Sequence, residues 1–194
     1  MSRKINLLAS LLFSLSATAA YADGYPSTTS TIHFIGSIIE PSCEFENGGD
    51  DTVDLTSFPA SDFMSANAEA SRSTVFTINL SNCPTPTADL PRVQLTFTGT
   101  TVANHPELLA VSKISTTDAG DTAATNVGIA INIGSEANAN KLKLDGTEEQ
   151  VYISLPATAS TQISQDFTAR YVAYAIPVTA GPADADMVVN LLYR

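Results

Sequence analysis

Apolar and polar residues alternate along most of this chain. The C-terminal stretch DADMVVNLLYR is the strictest case: Ala185, Met187, Val189, Leu191 and Tyr193 take every second position. A period of two marks a half-buried β-strand. The same period runs through STVFTINLS, with Phe76, Ile78 and Leu80 on one side and Val75, Thr77 and Asn79 on the other. It runs through RVQLTFTGT as well, with Val93, Leu95 and Phe97 on one face. Strands are predicted at residues 30–45, 52–55, 73–81, 92–100, 108–112, 126–134, 141–144, 149–155, 167–178 and 186–194. Between them lie turn-forming clusters such as NGGD, CPTPTADLP, TTDAGDTAAT and TAGPADAD. Helical periodicity is almost absent; FPASDFMSANAEASR holds at most a helical turn. Many short strands with turn signals between them predict an all-β sandwich.

Two of these strands do not fit a closed domain. The C-terminal one has a continuous apolar row and no charge from Met187 to Tyr193. Nothing follows it to cover its edge, and an exposed apolar edge is a hazard that proteins normally blunt. At the other end, TSTIHFIGSIIE places Ile32, Phe34, Gly36 and Ile38 at alternate positions, an apolar row with one side chain missing. Gly36 is a bulge or a close backbone approach in an ordinary first strand. Equally, the segment is a strand donated to another subunit, with backbone hydrogen bonds for affinity and alternate side chains for pockets. The pattern accommodates both, including a strand folded back on its own domain.

The first residues set the compartment. Arg3 and Lys4 precede the short apolar run LLASLLFSLSATAA, and Ala20-Tyr21-Ala22 fits a small-x-small cleavage site. Residues 1–22 thus read as a secretory signal peptide, and no later stretch is long enough to span a membrane. Cys43 and Cys83 are the two cysteines, and in an oxidising compartment they suggest one bridge. The net charge is -11 and moves to -13 when Arg3 and Lys4 are cleaved away, which argues against a nucleic-acid partner. The histidines are His33, inside a strand pattern, and His105, before Pro106. No ligand cluster, nucleophile motif or phosphate loop accompanies them, so no enzyme activity, cofactor, metal or catalytic residue is expected.

At this point the residues resemble a family, the structural subunits (pilins) of chaperone–usher fimbriae such as type 1 and P pili. TIHFIGSIIEPSC, STVFTINLSNC, ATNVGIAI and FTARYVAYAIPVTAGPADADMVVNLLYR carry the resemblance, with Gly181 fourteenth from the C-terminal end and Tyr193 penultimate. Pro182 and Arg194 depart from the commoner residues at their positions. The resemblance implies an incomplete immunoglobulin-like β-sandwich lacking its last strand and completed by a donor strand. It implies three segments: a signal peptide (1–22), an N-terminal extension (23–39) and a pilin domain (40–194). Ile32, Phe34, Gly36 and Ile38 would form the donor row. Gly181, Met187, Val189, Leu191, Tyr193 and Arg194 would belong to the acceptor and chaperone-binding strand, and Cys43–Cys83 would be the structural bridge. The implied partners are a periplasmic pilus chaperone, an outer-membrane usher and neighbouring pilin subunits in a head-to-tail polymer. The chain would be exported through the periplasm and assembled on the bacterial surface for adhesion. The alternative is a self-contained secreted Ig-like binding domain in which the N-terminal row completes its own sandwich.

Overall fold

The computed structural model describes residues 31–36, 42–116, 118, 120–134, 140–159 and 161–194. The signal-peptide segment and Ile38 lie outside the described residues. The chain divides into two compact units, Met1–Ile38 and Ile39–Arg194. In the first, residues 31–36 have no regular secondary structure and are exposed, Phe34 to 93%. Of the continuous strand expected over residues 30–45, residues 31–36, 42 and 43 carry no strand, Glu44–Phe45 form the first one, and the rest lie outside the described residues.

The second unit is an all-β sandwich. Its strands are β1 (Glu44–Phe45), β2 (Thr74–Ser81), β3 (Arg92–Gly99), β4 (Thr101–Val102), β5 (His105–Ala110), β6 (Val127–Ile133), β7 (Val151–Ser154), β8 (Ile163–Ala173) and β9 (Met187–Tyr193). One sheet has six strands in the order β1-β2-β8-β6-β5-β4, and the other has three in the order β7-β3-β9. Every named pairing is antiparallel.

The alternating rows meet between the sheets. Val93, Leu95 and Phe97 of β3 pack with Ile78 and Leu80 of β2, Ile129 and Ile131 of β6, and Phe167 and Ala169 of β8. Phe167 meets Phe97 edge-on and Phe76 stacked, with ring centroids 5.4 and 5.5 Å apart. The Cys43–Cys83 disulfide joins the residue before β1 to the loop after β2, and both cysteines are buried.

Three expectations change. Residues 52–55 alternate but join no strand. Residues 141–144 make one bridge, Lys141 with Asn132, rather than a regular strand, although Leu142 and Leu144 are fully buried; their N–H groups donate to Ile131 O (2.8 Å) and Pro106 O (2.7 Å). β8 begins at Ile163 and ends at Ala173, not at 167 and 178. Its polar start is stabilised across the ladder, where Thr77 Oγ1 donates to Asp166 Oδ1 (2.7 Å), and Pro177 has no N–H to prolong it.

On the outer face of the six-stranded sheet, Glu69 bridges two cations: Lys141 Nζ at 2.8 Å and Arg170 Nη1 at 2.7 Å. Burial pushes the Glu69 carboxyl up, but Lys141 and Arg170 outweigh it and hold its pKa below the ordinary value. The Arg170 side chain is only 9% exposed, so removing its partner strands a buried charge. Glu69→Ala is expected to cost about 3 kcal/mol in urea unfolding at neutral pH. A lowered folded pKa means that this contribution is full above the unfolded carboxylate value and lost as pH falls through the folded one. The difference between wild type and variant should therefore shrink below about pH 4.

Candidate functional site

β9 hydrogen-bonds to β3 along its whole length, and among the described residues its other edge carries no strand. The ladder register says which backbone groups that edge exposes. Arg92 and Arg194 exchange both bonds, N–H to O at 3.1 and 3.4 Å. Alternation then directs the backbone groups of Val188, Asn190 and Leu192 towards β3. The N–H and C=O groups of Met187, Val189, Leu191 and Tyr193 point to the open edge. The side chains of these same four residues are half-buried against the core, whereas Val188 is 60% exposed and Asn190 is exposed. The open edge is thus backed by an apolar row that is only partly covered.

A wall without a ladder stands at residues 51–58, which contain the strand expected at 52–55. Residues 51–58 form no backbone–backbone hydrogen bond among the described residues. Val53, Leu55 and Phe58 are half-buried, and Leu55 packs on the main core. Between this wall and residues 178–186 opens a cleft of about 1140 Å3, floored by Val127, Ile129 and Tyr171. Phe58 sits edge-on to Tyr171 at 6.0 Å. The Tyr171 hydroxyl donates to Ala183 O (3.1 Å); burial pushes its pKa up, and the charges of Asp184 and Asp54 add to this. Asp51, Asp54, Asp184 and Asp186 also line the cleft, but no group of three or more potential metal ligands occurs among the described residues.

The lead-in to β9 is clamped. Asp184 exchanges backbone bonds with Ser112 (2.7 and 3.0 Å). Its carboxylate accepts from Ser115 N (2.8 Å), Ser115 Oγ (2.7 Å) and Ile114 N (2.9 Å). The two Ser115 bonds chiefly hold the Asp184 pKa below its ordinary value. Ala124 N donates to Pro182 O (2.8 Å) and Thr125 N to Thr179 Oγ1 (3.0 Å). Gly181 lies in this seam, before the strand and not in it. A Cβ there would sit on the Thr122 carbonyl oxygen and 2.8 Å from Ala124 N.

Of the residues singled out from sequence, Met187, Val189, Leu191 and Tyr193 come together as one row. Gly181 borders the cleft beside their start, and Arg194 adds one further pair to the ladder while its guanidinium meets Glu148 at 2.5 Å. Ile32, Phe34 and Gly36 are exposed in the other compact unit. Sequence reasoning missed the 51–58 wall as a wall; its only signal was the Val53/Leu55 alternation, read as a paired strand. It also missed a bond from the Cys43 N–H to the Tyr193 hydroxyl oxygen, for which no local signal exists.

A model of the family described as fimbrial protein matches residues 32–194. The chain is 33% identical to the type-1 fimbrial protein A chain of Escherichia coli, covering 98% of this chain and all of that one. It is 33% identical to the type 1 fimbrial subunit of Salmonella typhimurium over 96% of this chain and 95% of the relative. Among solved structures, the P pilus rod subunit PapA shares the fold with a TM-score of 0.56 at 21% identity, covering 78% of this chain and 99% of that one.

Proposed function

The chain belongs to the fimbrial protein family, structural subunits exported and assembled as surface fimbriae rather than enzymes, and from that premise we propose that it polymerises by donor-strand exchange. The observation that carries the reading is the slot itself. Among the described residues, the outer edge of β9 and residues 51–58 join no backbone ladder, and the apolar row of β9 lies half-covered beside that edge. A strand laid there would gain hydrogen bonds and cover Met187, Val189, Leu191 and Tyr193.

The donor is the N-terminal extension of a neighbouring subunit, with Ile32, Phe34 and Ile38 inserted and Gly36 at the one position lacking a side chain. The exposure of Ile32 and Phe34 is what a segment reserved for another chain requires. Before assembly, a periplasmic chaperone lends the strand and holds the end of β9 around Tyr193 and Arg194; the outer-membrane usher is where the extension replaces it. Donation between like subunits is head-to-tail and does not close, so it yields a filament.

The test uses the oxidised chain beginning at Glu40 and a peptide spanning Ser27 to Ile39. At a hundredfold excess over Kd the peptide should add about 2.7 kcal/mol, read as a rise in melting temperature of roughly 5–10 °C. A peptide carrying Gly36→Val should give no rise, and the same substitution in the whole chain should stop fibre growth. A truncated chain that is stable and indifferent to the peptide would overturn the reading in favour of the self-contained Ig-like domain.

A further inference from the structure

Tyr193 makes a contact that strand donation does not require. Its ring is half-buried against the core, and its hydroxyl oxygen accepts the backbone N–H of Cys43. Tyr193 is the last residue of β9, the edge of the three-stranded sheet. Cys43 immediately precedes β1, the edge of the six-stranded sheet. The bond therefore crosses from one sheet edge to the other at the C-terminal end of the slot. Cys43 is a fixed anchor: it is buried and tied to Cys83, which is fully buried. At the other end, the lead-in to β9 is held by Ser112, Ser115 and Tyr171, and the cleft between residues 51–58 and 178–186 opens beside it.

We propose that the Tyr193 side chain is a crossbar that closes this end of the slot and sets the register of the incoming strand. The proposal rests on the donor-strand reading. A strand that slips by one residue turns its apolar row outward, but a slip of two restores the alternation and the backbone bonds. Edge pairing alone thus leaves the register degenerate, and the row Ile32, Phe34, Gly36, Ile38 offers only one distinctive position. A fixed stop at one end removes the degeneracy. Tyr193 acts as a positioning residue, and its hydroxyl carries the role.

The test titrates a peptide spanning Ser27 to Ile39, spin-labelled at its N-terminus, into the isotopically labelled chain from Asp23 onward. The wild type should show one set of bound peptide signals and one broadening pattern along Met187–Tyr193. Its Cys43 amide should stay protected from hydrogen exchange when the peptide binds. Tyr193→Phe keeps the ring, and it should show two or more bound sets and more than one broadening pattern along Met187–Tyr193. A single unchanged register in Tyr193→Phe would overturn the crossbar. So would loss of Cys43 protection on binding to the wild type, a measurement that needs no variant. Failure of the peptide to bind the wild type would instead overturn the donor-strand reading beneath it.

Discussion

Gly181→Val should lower the melting temperature by roughly 12 °C, the equivalent of about 4 kcal/mol in a domain of this size. The first atom of any side chain at Gly181 falls on the Thr122 carbonyl oxygen and within 2.8 Å of Ala124 N. Both are backbone atoms, so no rotamer change relieves the clash. The seam between residues 178–185 and 112–125 has to part instead, losing the Ala124–Pro182 bond and loosening the Asp184 clamp. Overpacking that cannot relax lies at the upper end of its usual cost. Because the collision begins at Cβ, Gly181→Ala should be almost as damaging as the valine. A residue conserving only a contact to a partner would tolerate alanine, so an alanine variant with wild-type melting would refute the seam as the cause.

Removing the disulfide should have a comparable effect. Cys43 and Cys83 are 40 residues apart, and opening a loop of that size costs about 4 kcal/mol on the chain-entropy account. The loop contains the 51–58 wall, which no backbone ladder holds. The double variant Cys43→Ala/Cys83→Ala should therefore unfold at markedly lower urea and also bind the Ser27–Ile39 peptide more weakly. Wild type treated with reductant should match it. Equal urea midpoints for oxidised and reduced protein would contradict the expectation.

Strands with a strict apolar period and a neighbour on at least one side were readable in advance. Phe76, Ile78 and Leu80, then Val93, Leu95 and Phe97, face inward as their alternation required. Alternation reports which side chains turn inward; it does not report whether the backbone has a partner. Residues 52–55 illustrate the difference, since Val53 and Leu55 turn inward from a segment that joins no sheet. The early start of β8 was hidden because its stability comes from pairing with β2, a partner more than eighty residues away in sequence, as in Thr77 with Asp166 (a separation of 89). The candidate site divides the same way. The row from Met187 to Tyr193 was legible, whereas the Tyr193–Cys43 bond joins residues 150 apart and the space denied to Gly181 is filled by a distant loop.

The register of β9 has a consequence for how this chain can diversify. Met187, Val189, Leu191 and Tyr193 face the core with their side chains and the open edge with their backbones. Val188 and Asn190 face solvent with their side chains and spend their backbones on β3. Odd and even positions of one strand thus answer to different constraints: the odd side chains are held by the core they cover, whereas those of Val188 and Asn190 meet the outside. Substitutions at Val188 and Asn190 can therefore rewrite the outer surface of this strand while its inner row, and the core it covers, stay as they are.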